Sequence, residues 1–295
     1  MSAKILDGRA ISEQVLAETQ ARVAAFKKSH GTAPGLAFIR VGEDPSSVVY
    51  VGAKAKMCER LGIQSQTFLL PAAASEKQVL ELVESLNRQK LVHGILVQAP
   101  MPSGISEERV FGSIHPHKDV DGFHPLNLGK LGVGDPEGFV ACTPAGVHQL
   151  LIRNRIPISG KHVVIIGRSR IVGKPLALIL SNKGPHADAT VTICHSRTPD
   201  LPSITRQADI LIAALGRNHF VNADMVREGA VVVDVGITRV PDPSKKNGHR
   251  LEGDVDYEPV AQKAGWITPV PGGVGPMTIA MLMANTLKAA QLQVE

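Results

Sequence analysis

Hydrophobic residues recur along this chain in two periods, and the two periods alternate. Ile11, Val15, Leu16, Val23 and Phe26 stand among polar neighbours at helical spacing, which predicts an amphipathic helix over residues 11–28. Leu36 to Val41 reads as a short strand, with Gly42 to Pro45 turning the chain behind it. Ser46 or Ser47 is placed to cap a helix that runs to about Leu61 and closes at Gly62. A strand from Gln66 to Leu70, a helix from about Glu76 to Asn87 and a strand from His93 to Gln98 follow, the last stopped by Ala99 to Pro102. Alternation of this kind predicts an α/β fold with a largely parallel sheet.

From Ile114 to Pro136 the alternation stops. This stretch is rich in Gly, Pro, His and Asp, and an irregular segment of that length is usually functional or a linker. Thr143-Pro144 then opens a helix through Leu151, with proline at the first helical position. Four β-branched residues, Val163 to Ile166, predict a strand buried on both faces. Gly167 turns the chain, and Gly173-Lys-Pro175 opens the apolar helical run Leu176 to Leu180. Strands at Ala189 to Cys194, Ile210 to Ala213 and Ala230 to Val235 come next, and a helix from about Met277 to Leu292 ends the chain. Ligands in open α/β sheets collect beyond the carboxyl ends of strands. Gln98, Gly167, His195, Gly216 and Ile237 all occupy such ends.

With 295 residues the pattern should fold as two domains. Aromatic residues make up only 3% of the chain, so Val, Ile, Leu and Ala must build the cores. The formal charge of +5 is scattered. One basic knot, Lys245-Lys246 with His249 and Arg250, sits in a Pro/Asn/Gly-rich turn and reads as a solvated hairpin tip. No basic stripe is interleaved with aromatics, so a nucleic-acid partner is not indicated, whereas a mild positive field favours small polyanions. Cys58, Cys142 and Cys194 are dispersed, as reduced thiols of a cytosolic-type compartment would be. No apolar run approaches a membrane span, and Asp7 and Arg9 stand where a signal peptide needs apolar residues. The expectation is a soluble cytoplasmic protein without a membrane partner.

Four groups of residues invite chemistry. Gly167 and Gly173, with five residues between them, form either the pyrophosphate turn of a Rossmann unit or an ordinary strand-to-helix turn. Unpaired N–H groups and the helix dipole favour an anion there. His195-Ser196-Arg197 ends the next strand where an NAD site offers an acid to the ribose. A hydroxyl and two basic groups suit a 2′-phosphate instead, which favours NADP. Ser47, Tyr50 and Lys54 share one helix face, as a cleft pair of phenol and ammonium or as a solvated Lys beside a half-buried Tyr. Met57 and Leu61 would supply an apolar wall, and Gln98 needs a partner to be buried at its strand end. The loop His115 to His124 matches no defensible metal-ligand spacing. Its Asp119 and Asp121 either cap backbone groups or grip a nitrogen-rich ring edge through paired N–H bonds. Pro269 to Pro276, with three glycines between prolines, is a tight turn or a bare backbone surface for a flat ligand.

Tyr50-Val-Gly-Ala-Lys54, Val97-Gln-Ala-Pro-Met-Pro102, Lys118-Asp-Val-Asp-Gly122, Gly167-Arg-Ser-Arg-Ile-Val-Gly173 and Pro269-Val-Pro-Gly-Gly-Val-Gly-Pro-Met-Thr278 together resemble the FolD-type bifunctional methylenetetrahydrofolate dehydrogenase/methenyltetrahydrofolate cyclohydrolases. The resemblance runs over nearly the whole chain. It implies NADP-dependent oxidation of 5,10-methylenetetrahydrofolate, hydrolysis of the methenyl product to 10-formyltetrahydrofolate, no metal, and a homodimer. It implies Lys54 as acid/base, Gln98 bonded to it, Tyr50 stacked on the aminobenzoate ring and Asp121 on the pterin edge. Ser47, Val97, Ala99, Pro271, Gly272, Gly273 and Gly275 would lie by the folate. Gly167, Arg168, Ser169, His195, Ser196, Arg197 and Ile237 would line the cofactor site. Residues 1–142 with 277–295 would form a three-layer α/β substrate domain and residues 143–276 a Rossmann-like NADP-binding domain, with the active-site cleft between them. Ala99, Met101 and His117 depart from the residues usual in the family, which touches affinity rather than the type of reaction.

Overall fold

The structure, a computed structural model, describes residues 2–245 and 248–294. The chain divides into two compact units. One comprises Met1–Ser12, Gly132–Gly134 and Thr143–Thr278, the other Glu13–Leu131, Asp135–Cys142 and Ile279–Glu295. The expected boundary gave all of residues 1–142 to the second of these. The first dozen residues group otherwise because strand Lys4–Ile5 pairs in parallel with Trp266–Ile267 and Ala3 packs in the first unit's core.

The first unit carries a six-stranded sheet in the spatial order Lys4–Ile5, Trp266–Ile267, Val231–Asp234, Ile210–Ala213, His162–Ile166, Thr190–Cys194. Every pairing in it is parallel. Val163, Val164, Ile165 and Ile166 are all fully buried, as an uninterrupted β-branched run inside a doubly covered sheet should be. The chain leaves His162–Ile166 for the strand on one side, then returns to Ile210–Ala213 on the other. That reversal leaves a crevice beyond the carboxyl ends of the central strands. A separate antiparallel pair joins Thr238–Pro241 to His249–Glu252. Of the expected basic tip, Lys246 lies outside the described residues.

The second unit has a three-stranded parallel sheet, with Gly35–Val41 between Gln64–Leu70 and Gly94–Val97. Ala37, Ile39, Val41, Ile95 and Val97 face one core with Val79, Val83 and Leu86 of helix Glu76–Asn87. The predicted stripe Ile11, Val15, Leu16, Val23 and Phe26 of helix Gly8–His30 is buried throughout.

Two expectations are corrected here. Helix Pro45–Leu61 is capped by Asp44, whose Oδ1 accepts the Ser47 N–H at 2.8 Å, rather than by a serine. Pro45 is preset for the first helical position, so the helix starts before the serines and the acid ahead of it becomes the cap. The Ser46 side chain lies outside the described residues. The stretch Ile114–Pro136 is also more ordered than its composition suggests, with a 3-10 turn at Pro116–Lys118 and a helix at Pro125–Val133. Among the described residues no helix is long and apolar enough to cross a membrane.

Candidate active site

In the three-stranded unit the Gln98 N–H donates to the Ile39 carbonyl at 2.8 Å, extending the strand ladder by one residue. Ile95 and Val97 belong to the core on one face, so strand alternation sends Gln98 to the other. There it meets the helix Pro45–Leu61. Lys54 Nζ donates to Gln98 Oε1 at 3.0 Å, while Gln98 Nε2 donates to the Ala99 carbonyl at 2.6 Å. The amide is thereby oriented with its oxygen toward the ammonium. Both side chains are half-buried. Tyr50, one turn back on the helix, is 40% exposed and offers its ring to a ligand, whereas Ser47 is buried beneath the first turn. Val97 is buried and Ala99 half-buried, with a cis bond from Ala99 to Pro100.

The two acids of the Lys118-Asp-Val-Asp-Gly122 segment divide the two roles open to them. Asp119 is buried and works on its own loop, accepting N–H bonds from Phe123 at 3.1 Å and His124 at 2.8 Å and the Asn127 amide at 2.8 Å. Asp121 is half-buried. Burial pushes its carboxyl above the usual range, and the Lys54 charge pulls the other way. The amine and this carboxylate are therefore near enough to feel each other's charge. The Cys142 thiol donates to the Val120 carbonyl at 3.4 Å, and burial and the Asp121 charge raise that thiol well above its usual range. Sequence reasoning passed over Cys142 because nothing near it in the chain marks it.

Several contacts fix the segment. Lys118 Nζ donates to the Leu86 and Gln89 carbonyls at 3.1 and 2.8 Å. Asn285 Nδ2 donates to the carbonyls of Val120 and Val140 at 2.9 and 3.0 Å. Two of the loop histidines serve the backbone, since Nδ1 of His115 accepts from His117 N–H and Nδ1 of His124 from Leu126 N–H. Among the described residues no three His, Cys, Asp or Glu side chains converge to hold a metal. On Gln98's face of the sheet lies Arg40, 8% exposed, whose Nη1 is buried without a hydrogen-bond partner.

In the six-stranded unit a cavity of about 350 Å³ opens at the crevice. Gly167, Arg168 and Ser169 wall it behind the central strand, His195 and Ser196 behind the edge strand, and Ala214, Leu215 and Arg217 behind the third. The two glycines owe their spacing to close backbone approach. A Cβ on Gly167 would lie 2.2 Å from the Ala214 carbonyl oxygen, and one on Gly173 would lie 2.1 Å from that of Gly167. The helix start is less open than expected. Ser169 Oγ accepts the N–H groups of Val172 at 3.1 Å and Gly173 at 3.4 Å, and its carbonyl accepts that of Lys174. An anion there meets the Arg168 and Ser169 side of the turn rather than those inner donors.

Two expected cofactor residues stand off the wall. Arg197 is exposed, its N–H donating to His195 Nδ1 at 3.1 Å. Ile237 lies against Gly275, its Cδ1 3.6 Å from where a Cβ there would stand. The Pro271–Gly275 frame is held by Arg9 N–H, which donates to the Gly272 carbonyl at 3.1 Å. The last helix begins at Val274 rather than Met277. Pro276 falls in its first turn, where a missing N–H costs nothing. Ala214, Leu215, Arg217 and Phe220 also face the cavity. The sequence signal was the end of strand Ile210–Ala213, which pointed to Gly216 but not to its neighbours.

Residues 6–121 match the family model for the tetrahydrofolate dehydrogenase/cyclohydrolase catalytic domain. Residues 141–294 match the model for the NAD(P)-binding domain of the same enzymes. A protein of Dehalococcoides mccartyi named bifunctional protein FolD is 55% identical over 292 residues, 99% of this chain and 98% of that one. The crystal structure of the bifunctional FolD methylenetetrahydrofolate dehydrogenase/cyclohydrolase of Campylobacter jejuni superposes with a TM-score of 0.92 at 47% identity, covering 99% of each chain. That of Trypanosoma brucei FolD, complexed with NADP cofactor and inhibitor, gives a TM-score of 0.94 at 38% identity, covering 100% of this chain and 99% of that one.

Proposed function

The chain belongs to the tetrahydrofolate dehydrogenase/cyclohydrolase family, and from that premise we propose that it oxidises 5,10-methylenetetrahydrofolate with NADP⁺ and hydrolyses the methenyl product to 10-formyltetrahydrofolate. The observation that carries this reading is the Lys54–Gln98 bond of 3.0 Å beside a carboxylate, Asp121, that feels the amine's charge.

NADP⁺, when bound, supplies the acceptor for the hydride leaving the folate. The cavity suits it. Gly167 and Ala214 wall it with backbones too close to each other for a side chain between them, and none of the described residues walling it is acidic. Ser169 and Arg168 would take the pyrophosphate side. His195 and Ser196, with Arg197 next along the turn, would take the 2′-phosphate, which a guanidinium binds as a charge-assisted pair. Tyr50 would stack on the aminobenzoate ring, and Asp121 would accept paired N–H bonds from the pterin edge. Ala99, whose carbonyl orients Gln98, would lie beside the same ligand. The hydrolysis needs a group that moves a proton to and from the attacked carbon's new oxygen and the departing nitrogen. Lys54 is placed for that, and Gln98 aims it. A homodimer working in the cytoplasm belongs to the same reading.

Initial rates with methylenetetrahydrofolate and each dinucleotide test it. A charge-assisted bond to the 2′-phosphate is worth about 1.5–3 kcal/mol, so kcat/KM should favour NADP⁺ over NAD⁺ at least about tenfold. Equal turnover with both would overturn the cofactor assignment, and no turnover with either would overturn the oxidation.

A further inference from the structure

The turn Leu215–Arg217 is held from behind. Asp254, wholly buried, accepts three consecutive backbone N–H bonds from it, those of Leu215 and Gly216 on Oδ2 at 2.6 and 2.9 Å and that of Arg217 on Oδ1 at 2.7 Å. Asp254 is itself held. Its N–H donates to Asp234 Oδ1 at 3.0 Å, and the Val255 N–H donates to Asp234 Oδ2 at 2.9 Å. Asp234 also accepts the Gly236 N–H at 2.9 Å, just before Ile237. The glycines around the pair are needed by it. A Cβ on Gly253 would stand 1.9 Å from Asp234 Oδ2, and one on Gly236 would stand 2.3 Å from Asp254 Oδ1. Two buried carboxylates thus set the loops that follow two neighbouring strands.

Only the first of those loops walls the cavity. Leu215 and Arg217 face it alongside His195 and Ser196, the residues read above as receiving the adenosine 2′-phosphate. The Arg217 guanidinium carbon lies 4.8 Å from the centre of the Phe220 ring, which also faces the cavity, so an aromatic face steadies a flexible cation. A planar cation beside a phosphate site fits an adenine ring or the phosphate itself.

We propose that Asp254 is a positioning residue for the dinucleotide: its carboxylate fixes the Leu215–Arg217 turn so that Leu215 and Arg217 close the cavity on the adenosine end of NADP⁺. The assignment rests on the dinucleotide reading given above. It is tested on the full chain with Asp254→Asn, which removes the charge and one acceptor oxygen, and with Arg217→Ala at the exposed end of the same device. Calorimetric titration with NADP⁺ and steady-state kinetics are the readouts. Each variant should raise the dissociation constant and the KM for NADP⁺ about tenfold, the loss of one charge-assisted contact, with a much smaller fall in kcat at saturating dinucleotide. A purely structural role would lower kcat through lost folded enzyme and leave KM in place, and that result overturns the assignment. So does unchanged NADP⁺ affinity in Arg217→Ala, which does not depend on the Asp254 variant folding. Wild-type protein that fails to bind NADP⁺ overturns the dinucleotide reading itself, whereas binding that neither variant weakens overturns only the role of the turn.

Discussion

Gln98 keeps its oxygen toward Lys54 because its Nε2 is committed to the Ala99 carbonyl. A hydrogen bond to a charged group contributes about 1.5–3 kcal/mol. Gln98→Leu should therefore slow hydrolysis of methenyltetrahydrofolate by about ten- to a hundredfold, and a rate within twofold of wild type would show that the amide does not aim the amine. Arg40, on the same face, presents the opposite case. Its orphaned Nη1 has lost water and gained nothing, which costs about 1–3 kcal/mol. Arg40→Met keeps the length of the stem without the charge, and thermal unfolding should show it at least as stable as wild type. A clear loss of stability would mean that the guanidinium has a partner in solution.

The element that binds strand end to loop in the six-stranded unit is the carboxylate pair. Burial pushes the Asp234 carboxyl up to about 6, with the Asp254 charge adding to the rise and three backbone N–H bonds opposing it. A raised value in the folded chain means that folding favours the protonated acid. Its contribution is full at acid pH below the ordinary value and is lost as pH rises through about 6. A rise of that size corresponds to roughly 3 kcal/mol. Carboxyl ¹³C NMR should find Asp234 titrating near 6, and a midpoint near that of a free aspartate would refute the burial argument. Elements such as these divide by how local their cause is. Helix Glu76–Asn87 and the buried run Val163–Ile166 were legible because period and propensity act within a few residues. The helix at Pro125–Val133 was not, since Asn127 anchors it to Asp119 and Pro116 across the loop. Lys54 on a helix face, Gln98 at a strand end and Asp121 in an irregular loop were legible as residue types that invite chemistry. Asp254 was not, because a carboxylate that reaches back 37 to 39 residues leaves no local pattern.

At the scale of the whole molecule, two family models cover most of the chain, and the two reactions draw on different chemistry. Hydride transfer asks the protein chiefly to place one bound molecule against another. Hydrolysis asks it for a proton carrier, which contributes about 10²–10⁴-fold. The most direct measurement is the product made by Lys54→Met from methylenetetrahydrofolate and NADP⁺. The account predicts that methenyltetrahydrofolate accumulates, with 10-formyltetrahydrofolate appearing at least about a hundredfold more slowly than with wild type. Formation of the formyl compound at the wild-type rate would contradict it.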